Sequence, residues 1–402
     1  MRVASLTKIP VPGAVPLLGA LGLLASLSAA GAQQAAAPAA APAAAASPAA
    51  TAAAPPADPA MIAHQRTLVA LAVERYIRPA YASVADAANS LRTATVRYCA
   101  QPSPVNTDAL RGAFGDMLSA WGRVDFLRFG PATVDHRLER VSFWPDPRNF
   151  VEKQLRQLLN GDQLAGIDLP RLKGQSAAVQ GLPAFERLLL TAPKEGGVVP
   201  DVKAPDFANR CQLATLIATN VTDISAALRD DWARPDGYAR LLLKPGPDNP
   251  VYRSEAQAAD EILKALITGI EQVRDLALGP ALGTSPDTAK PMRFPFVRSG
   301  NTLVLVRANI AGLAQLIEAS GIADGLPPAQ SWLRASLLFE LGNINRVLGT
   351  ISDPPATMAG DARDRAKITY ARISLASVRD TLVGPLASAV GLNVGFNALD
   401  GD

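Results

Sequence analysis

Histidine is nearly missing: a chain of 402 residues holds two, His64 and His136. A catalytic zinc commonly takes three protein ligands with imidazole among them, and no H-E-x-x-H occurs, so an imidazole-rich metal centre is excluded. His136 stands at helical spacing from Glu139, beside Asp135, and reads as a surface residue. There is no G-x-S-x-G, phosphate loop or dinucleotide fingerprint. Aromatics make up 5% of the chain and the formal charge is only +3. No basic block interleaved with aromatics appears, so nucleic acid is not an expected partner. Beyond the N-terminus no apolar run reads as long enough to span a bilayer, and no membrane span is expected in the mature chain.

Cysteine is equally scarce, with Cys99 and Cys211 alone. Two thiols cannot complete a metal site. In an oxidising compartment an even pair reads most simply as a disulfide, the alternative being two buried free thiols. Such a bridge closes a loop of about 110 residues, worth at most about 4–5 kcal/mol in the chain-entropy view.

The compartment is read from the first residues. Arg2 and Lys8 precede an apolar stretch from Val15 to Leu27 that contains Pro16, and Ala30-Gly31-Ala32 follows as a cleavage pattern. This predicts a signal peptide over residues 1–32, in competition with an uncleaved anchor, and a periplasmic location. No cysteine stands at the cleavage point to accept a lipid. Loss of Arg2 and Lys8 brings the charge closer to neutral. Residues 33–60 are almost only Ala and Pro, which cannot bury enough surface to offset chain entropy and read as a disordered tether.

From there the period is helical and no strand alternation stands out. Val69, Val73, Tyr76, Ala80, Val84, Ala87 and Leu91 form one stripe, and Leu110, Phe114, Met117, Trp121 and Val124 another. Phe207, Cys211, Ala214, Ile217, Val221, Ile224 and Leu228 form the clearest. Ala259, Ile262, Leu266, Ile270 and Val273 repeat it, with weaker versions over 301–319, 330–348 and 364–390. Pro102 and Pro104 end one helix, and Asn106 or Thr107 is the expected cap of the next. The run Lys244 to Pro250, with three prolines and a glycine, is the expected interdomain linker. The expected fold is all-α, with helical bundles over 61–245 and 251–402 and a cleft between them.

Two stretches could carry chemistry. In 121–148, Arg123, Arg128, Arg137, Arg140 and Arg148 mingle with Asp125, Asp135, Glu139 and Asp146, and with Trp121, Phe126, Phe129, Phe143 and Trp144. Arginine pairs with carboxylates and stacks on aromatic faces. This reads either as a cleft for an anionic or peptide-like ligand or, preferably, as an ion-pair latch fixing an irregular loop. In the second stretch Glu186 lies in the apolar run after Gln180-Gly181-Leu182-Pro183. A carboxylate there is costly unless partnered, and an arginine of 121–148 is the expected partner.

These residues resemble the imelysin family of exported helical proteins. The resemblance is carried by Arg128–Pro131, the run Arg137–Arg148, Gln180–Leu190, Pro295–Thr302 and Gly391–Asp402. It implies two helical halves with a site in the cleft, and for some members a link to iron uptake. It makes Gln180, Gly181, Pro183, Glu186, Arg128, Arg137, Glu139, Arg140, Trp144, Asp146, Arg298 and Ser299 the ligand candidates. Iron or another divalent cation is the expected cargo, with Glu186 and Glu139 as metal candidates. A small ligand or a periplasmic or outer-membrane protein is the expected partner. Founding members carry G-x-H-x-x-E and were described as metallopeptidases. Gly181 and Glu186 fit that motif, but Pro183 replaces its histidine. A binding or accessory role is therefore expected ahead of a divergent metallopeptidase.

Overall fold

The computed structural model describes residues 58–392 apart from 161–163, 165, 192–201 and 353. The expected signal peptide and tether lie outside the described residues, except for the tether's last three, and so does the C-terminal motif beyond Leu392. Among the described residues the elements are helices and turns, with no strand.

The chain begins with α1 (Pro59–Leu71), which passes through a π-turn at Ala72–Ile77 into α2 (Arg78–Ala100). Pro102 and Pro104 stop α2 as expected, and α3 (Pro104–Gly122) follows. Its cap falls earlier than the sequence suggested: the Ser103 hydroxyl accepts the Asn106 N–H at 3.2 Å, leaving Asn106 inside the helix. Short α4 (Arg137–Val141) and α5 (Phe150–Asn160) flank an irregular connection. Asp146 starts α5 by accepting the N–H groups of Phe150 and Val151 at 2.7 and 3.0 Å.

Next come α6 (Leu169–Lys173), α7 (Leu182–Leu189), the long α8 (Phe207–Ala233) and α9 (Tyr238–Leu243). The stripes on α3 and α8 both pack against α2, and nearly every residue of the three is buried. Cys99 at the end of α2 is bonded to Cys211 of α8, with Cα atoms 5.6 Å apart. Tyr98 beside it meets Phe207 edge-on at 5.9 Å.

After Lys244–Pro250 come α10 (Glu255–Glu271), a second π-turn at Gln272–Leu278, α11 (Gly279–Leu282), α12 (Thr302–Ser320), α13 (Trp332–Leu348), α14 (Pro355–Met358) and α15 (Ala362–Thr381). A third π-turn, Leu382–Leu386, leads into α16 (Ala387–Ala389). Between α13 and α15 the described chain makes only the one-turn α14. α1 packs on α10 and α3 on α12, and one connected apolar core runs from Leu68 to Leu392. In the proline-rich linker the Asn249 amide donates to the carbonyls of Leu241 and Lys244 at 2.8 and 3.0 Å. Its oxygen accepts from the Val251 and Tyr252 N–H groups, so one buried side chain stitches both flanks.

One expectation needs correcting. By length and composition α12 is apolar enough to cross a membrane. Its apolarity has another explanation, since 56% of that window is buried inside the fold. Asn309 within it donates to the Gly122 carbonyl and the Asp125 carboxylate, both at 2.7 Å.

Candidate functional site

Helix α7 builds the floor of a pocket. Gly181 precedes it and packs so tightly that a Cβ there would lie 2.3 Å from the Val141 carbonyl oxygen. Only glycine admits that approach. Pro183 occupies the first turn, where a missing N–H costs nothing. Three residues on, Glu186 shares its face, so both line a cavity of about 460 Å³.

The walls come from two other segments. Phe143, Trp144 and Asp146 form one side, and Phe294, Phe296 and Arg298 the other. Phe114 of α3 holds the second wall to the floor, stacked on Phe185 at 5.6 Å and edge-on to Phe296 at 5.8 Å. The 294–301 turn needs positive φ at Phe296 and Gly300. Thr302 locks it by donating to the Pro295 carbonyl at 2.7 Å.

Glu186 is buried, at 3% exposure. Its Oε1 accepts the Ser299 backbone N–H at 2.9 Å and the Ser299 hydroxyl at 2.7 Å. Burial raises the carboxyl above its ordinary pKa, while the Ser299 bonds and the nearby Arg187 and Arg298 pull it back down. The expected arginine partner from 121–148 is not what holds it. Four of those five arginines are spent elsewhere: Arg128 lies 3.5 Å from Glu139, and Arg137 meets Asp231 at 2.6 Å. Arg123 donates to Gln315 at 3.3 Å. Arg140 donates to Gln180 Oε1 at 2.9 Å and to Asn220 at 3.3 Å. Gln180 in turn donates to the Gln175 carbonyl at 2.6 Å, and Asn220 to the Gln180 carbonyl at 3.1 Å.

The candidates therefore separate. Pro183, Glu186, Trp144, Asp146 and Arg298 line the pocket, with Ser299 bonded to Glu186. Gln180, Gly181, Arg128, Arg137, Glu139 and Arg140 are not among its lining residues and tie α4 to its surroundings. Sequence reasoning missed Arg187, Arg293 and Phe294. Arg187 was visible beside Glu186, and Phe294 one residue before the Pro295–Thr302 motif. Arg187 donates to the Pro183 carbonyl at 3.2 Å and to Asn149 at 3.3 Å, with Asp146 3.9 Å and Glu152 3.6 Å away. Burial and Arg298 lower its pKa.

Among the described residues no group of three or more His, Cys, Asp or Glu is placed to hold a metal ion. His64 contacts the Ile322 carbonyl at 3.3 Å and His136 is exposed. At the pocket floor Pro183 offers no ligand, Glu186 has one oxygen committed, and three guanidinium groups stand close by. That donor set does not fit a bare divalent cation.

Described residues whose elements are helices and turns, with a buried carboxylate under an aromatic pocket, define a class before they define a member: an imelysin-type helical fold. The profile of the imelysin family matches residues 77–382, and the chain belongs to that family. It is 24% identical over 321 residues to iron-regulated protein A of Synechococcus elongatus, covering 77% of this chain and 82% of that one. Among solved structures it resembles an imelysin-like protein of Psychrobacter arcticum, with TM-score 0.68 and 19% identity over 83% of this chain and 98% of the other. A protein of Parabacteroides distasonis described as an iron-regulated protein A precursor gives TM-score 0.65 and 15% identity, over 85% and 97%.

Proposed function

We propose that the protein is exported and serves as a binding or accessory protein in the supply of iron or another metal. Its ligand is held at the Glu186 pocket, between halves 61–245 and 251–402. The observation that carries this reading is the meeting of three sequence-distant motif segments at one cavity: Phe143–Asp146, Pro183–Arg187 and Phe294–Arg298. A pocket of this size with apolar walls and a few converging polar groups is the usual form of a small-molecule site. The link to iron is supported by the names of the Synechococcus and Parabacteroides relatives. The signal-like N-terminus supports export to the periplasm.

Fractionation of the native host and a deletion strain test this together. The reading expects the chain in the periplasmic fraction and lower cell iron in the deletion strain under iron limitation. A cytoplasmic chain, or iron content unchanged by the deletion, would contradict it.

A further inference from the structure

The charge around the pocket points to the class of ligand, given the reading of this cavity as the binding site. Its lining holds three guanidinium groups, Arg187, Arg293 and Arg298, against two carboxylates, Asp146 and Glu186. Arg187 lies near Asp146 and Glu152, while Asp146 caps α5. Glu186 has given Oε1 to Ser299. The guanidinium groups of Arg293 and Arg298 make no hydrogen bond or ion pair with any described residue. The Arg298 charge is close enough to bear on the floor, where it lowers the pKa of both Glu186 and Arg187. The same cavity is lined by the flat apolar surfaces of Trp144 and Phe294.

We propose that this pocket takes a small organic anion with a planar or apolar body, rather than a bare cation. Its carboxylate meets the Arg298 and Arg293 forks, which suit planar, bidentate oxygen pairs. Its body lies against Trp144 and Phe294, whose low polarity strengthens the charge pairing. A metal ion is carried here inside such a chelate, on the ligand's own oxygens, and the protein reads the chelate's negative charge. A bare cation would face the two unpaired guanidinium groups. The loss of the motif histidine at Pro183 is consistent with a pocket that needs no protein ligand to the metal.

Calorimetric titration of the full mature chain tests this with four probes: 2,3-dihydroxybenzoate, its ferric complex, inorganic phosphate, and ferrous ion under nitrogen. The expected result is micromolar binding of the aromatic carboxylate, free or as its ferric complex, with phosphate at least tenfold weaker and ferrous ion silent. The tighter of the first two tells the free anion from the chelate. Arg298→Gln should weaken binding at least tenfold with Tm unchanged. Arg293→Gln serves as the second variant should the first fail to fold. Ferrous binding without carboxylate binding would overturn the anion inference and leave the pocket as a ligand site. Phosphate binding as tightly as the aromatic acid would overturn the role of the apolar wall. Silence of all four probes, or binding unaffected by either substitution, would overturn both the inference and the site.

Discussion

Ser299 gives both of its donors to a single oxygen of Glu186, the backbone N–H at 2.9 Å and the hydroxyl at 2.7 Å. The contact joins α7 to the turn before α12, across 113 residues of sequence. It keeps a buried carboxylate tolerable at the pocket floor. Ser299→Ala removes one charge-assisted bond and should cost about 1–3 kcal/mol in urea unfolding at pH 7. The loss should shrink at acid pH. Burial holds the folded-state pKa of Glu186 above its unfolded value, so the native state binds its proton more tightly. Stability from this group is therefore present at low pH and falls as pH rises through that window. A Ser299→Ala penalty independent of pH would sink this account.

Asp125 offers a second pH test. It is buried beneath α12, accepts from Asn309 at 2.7 Å, and burial pushes its pKa up to about 7. Its folded pKa lies above its unfolded one, so the fold loses stability as pH rises from about 4 to about 7, by up to about 4 kcal/mol. Asp125→Asn keeps an acceptor for Asn309 and removes the charge. Chemical unfolding should show that the variant loses much of this slope and gains on wild type at pH 7.5. A slope identical to wild type would place the titration elsewhere.

Much of the fold was legible because helical periodicity reports burial directly. The Phe207–Leu228 stripe is the face that α8 buries, except that Phe207 itself stays partly exposed. The site was legible in part. Glu186 stood out as a carboxylate in an apolar run, but its partner did not. An arginine-rich stretch looked like the obvious source of a counter-charge, and its arginines turned out to serve Glu139, Asp231, Gln180 and Asn220. Ser299 could not be found from spacing, because its approach depends on the positive-φ turn at Phe296 and Gly300. The Asp125–Asn309 pair was hidden for a similar reason: two core polar residues meet only once α3 and α12 pack.

The Cys99–Cys211 bridge ties the end of α2 to α8 over a separation of 112 residues. Reduction under native conditions should lower unfolding stability by about 2–4 kcal/mol. Peptide mapping without reductant should recover the two cysteines as one linked pair. Two free thiols in protein isolated from its native host without reductant would contradict the bridge.

Gln180 and Arg140 test the separation of support from site. Gln180→Leu would leave the Arg140 Nε without its part-buried acceptor and remove the Gln180 amide's bond to the Gln175 carbonyl, and should cost about 2–3 kcal/mol. Ligand affinity measured below the unfolding transition should be unchanged. A variant of normal stability that loses binding would place Gln180 in the site after all.

The most direct measurement is native mass spectrometry of the protein purified from iron-limited cells of its native host, wild type beside Arg298→Gln. The account predicts a wild-type protein carrying a non-covalent organic anion, with or without iron, and a variant that is folded and bare. A wild type carrying only a naked metal ion, or the same adduct on both proteins, would contradict it.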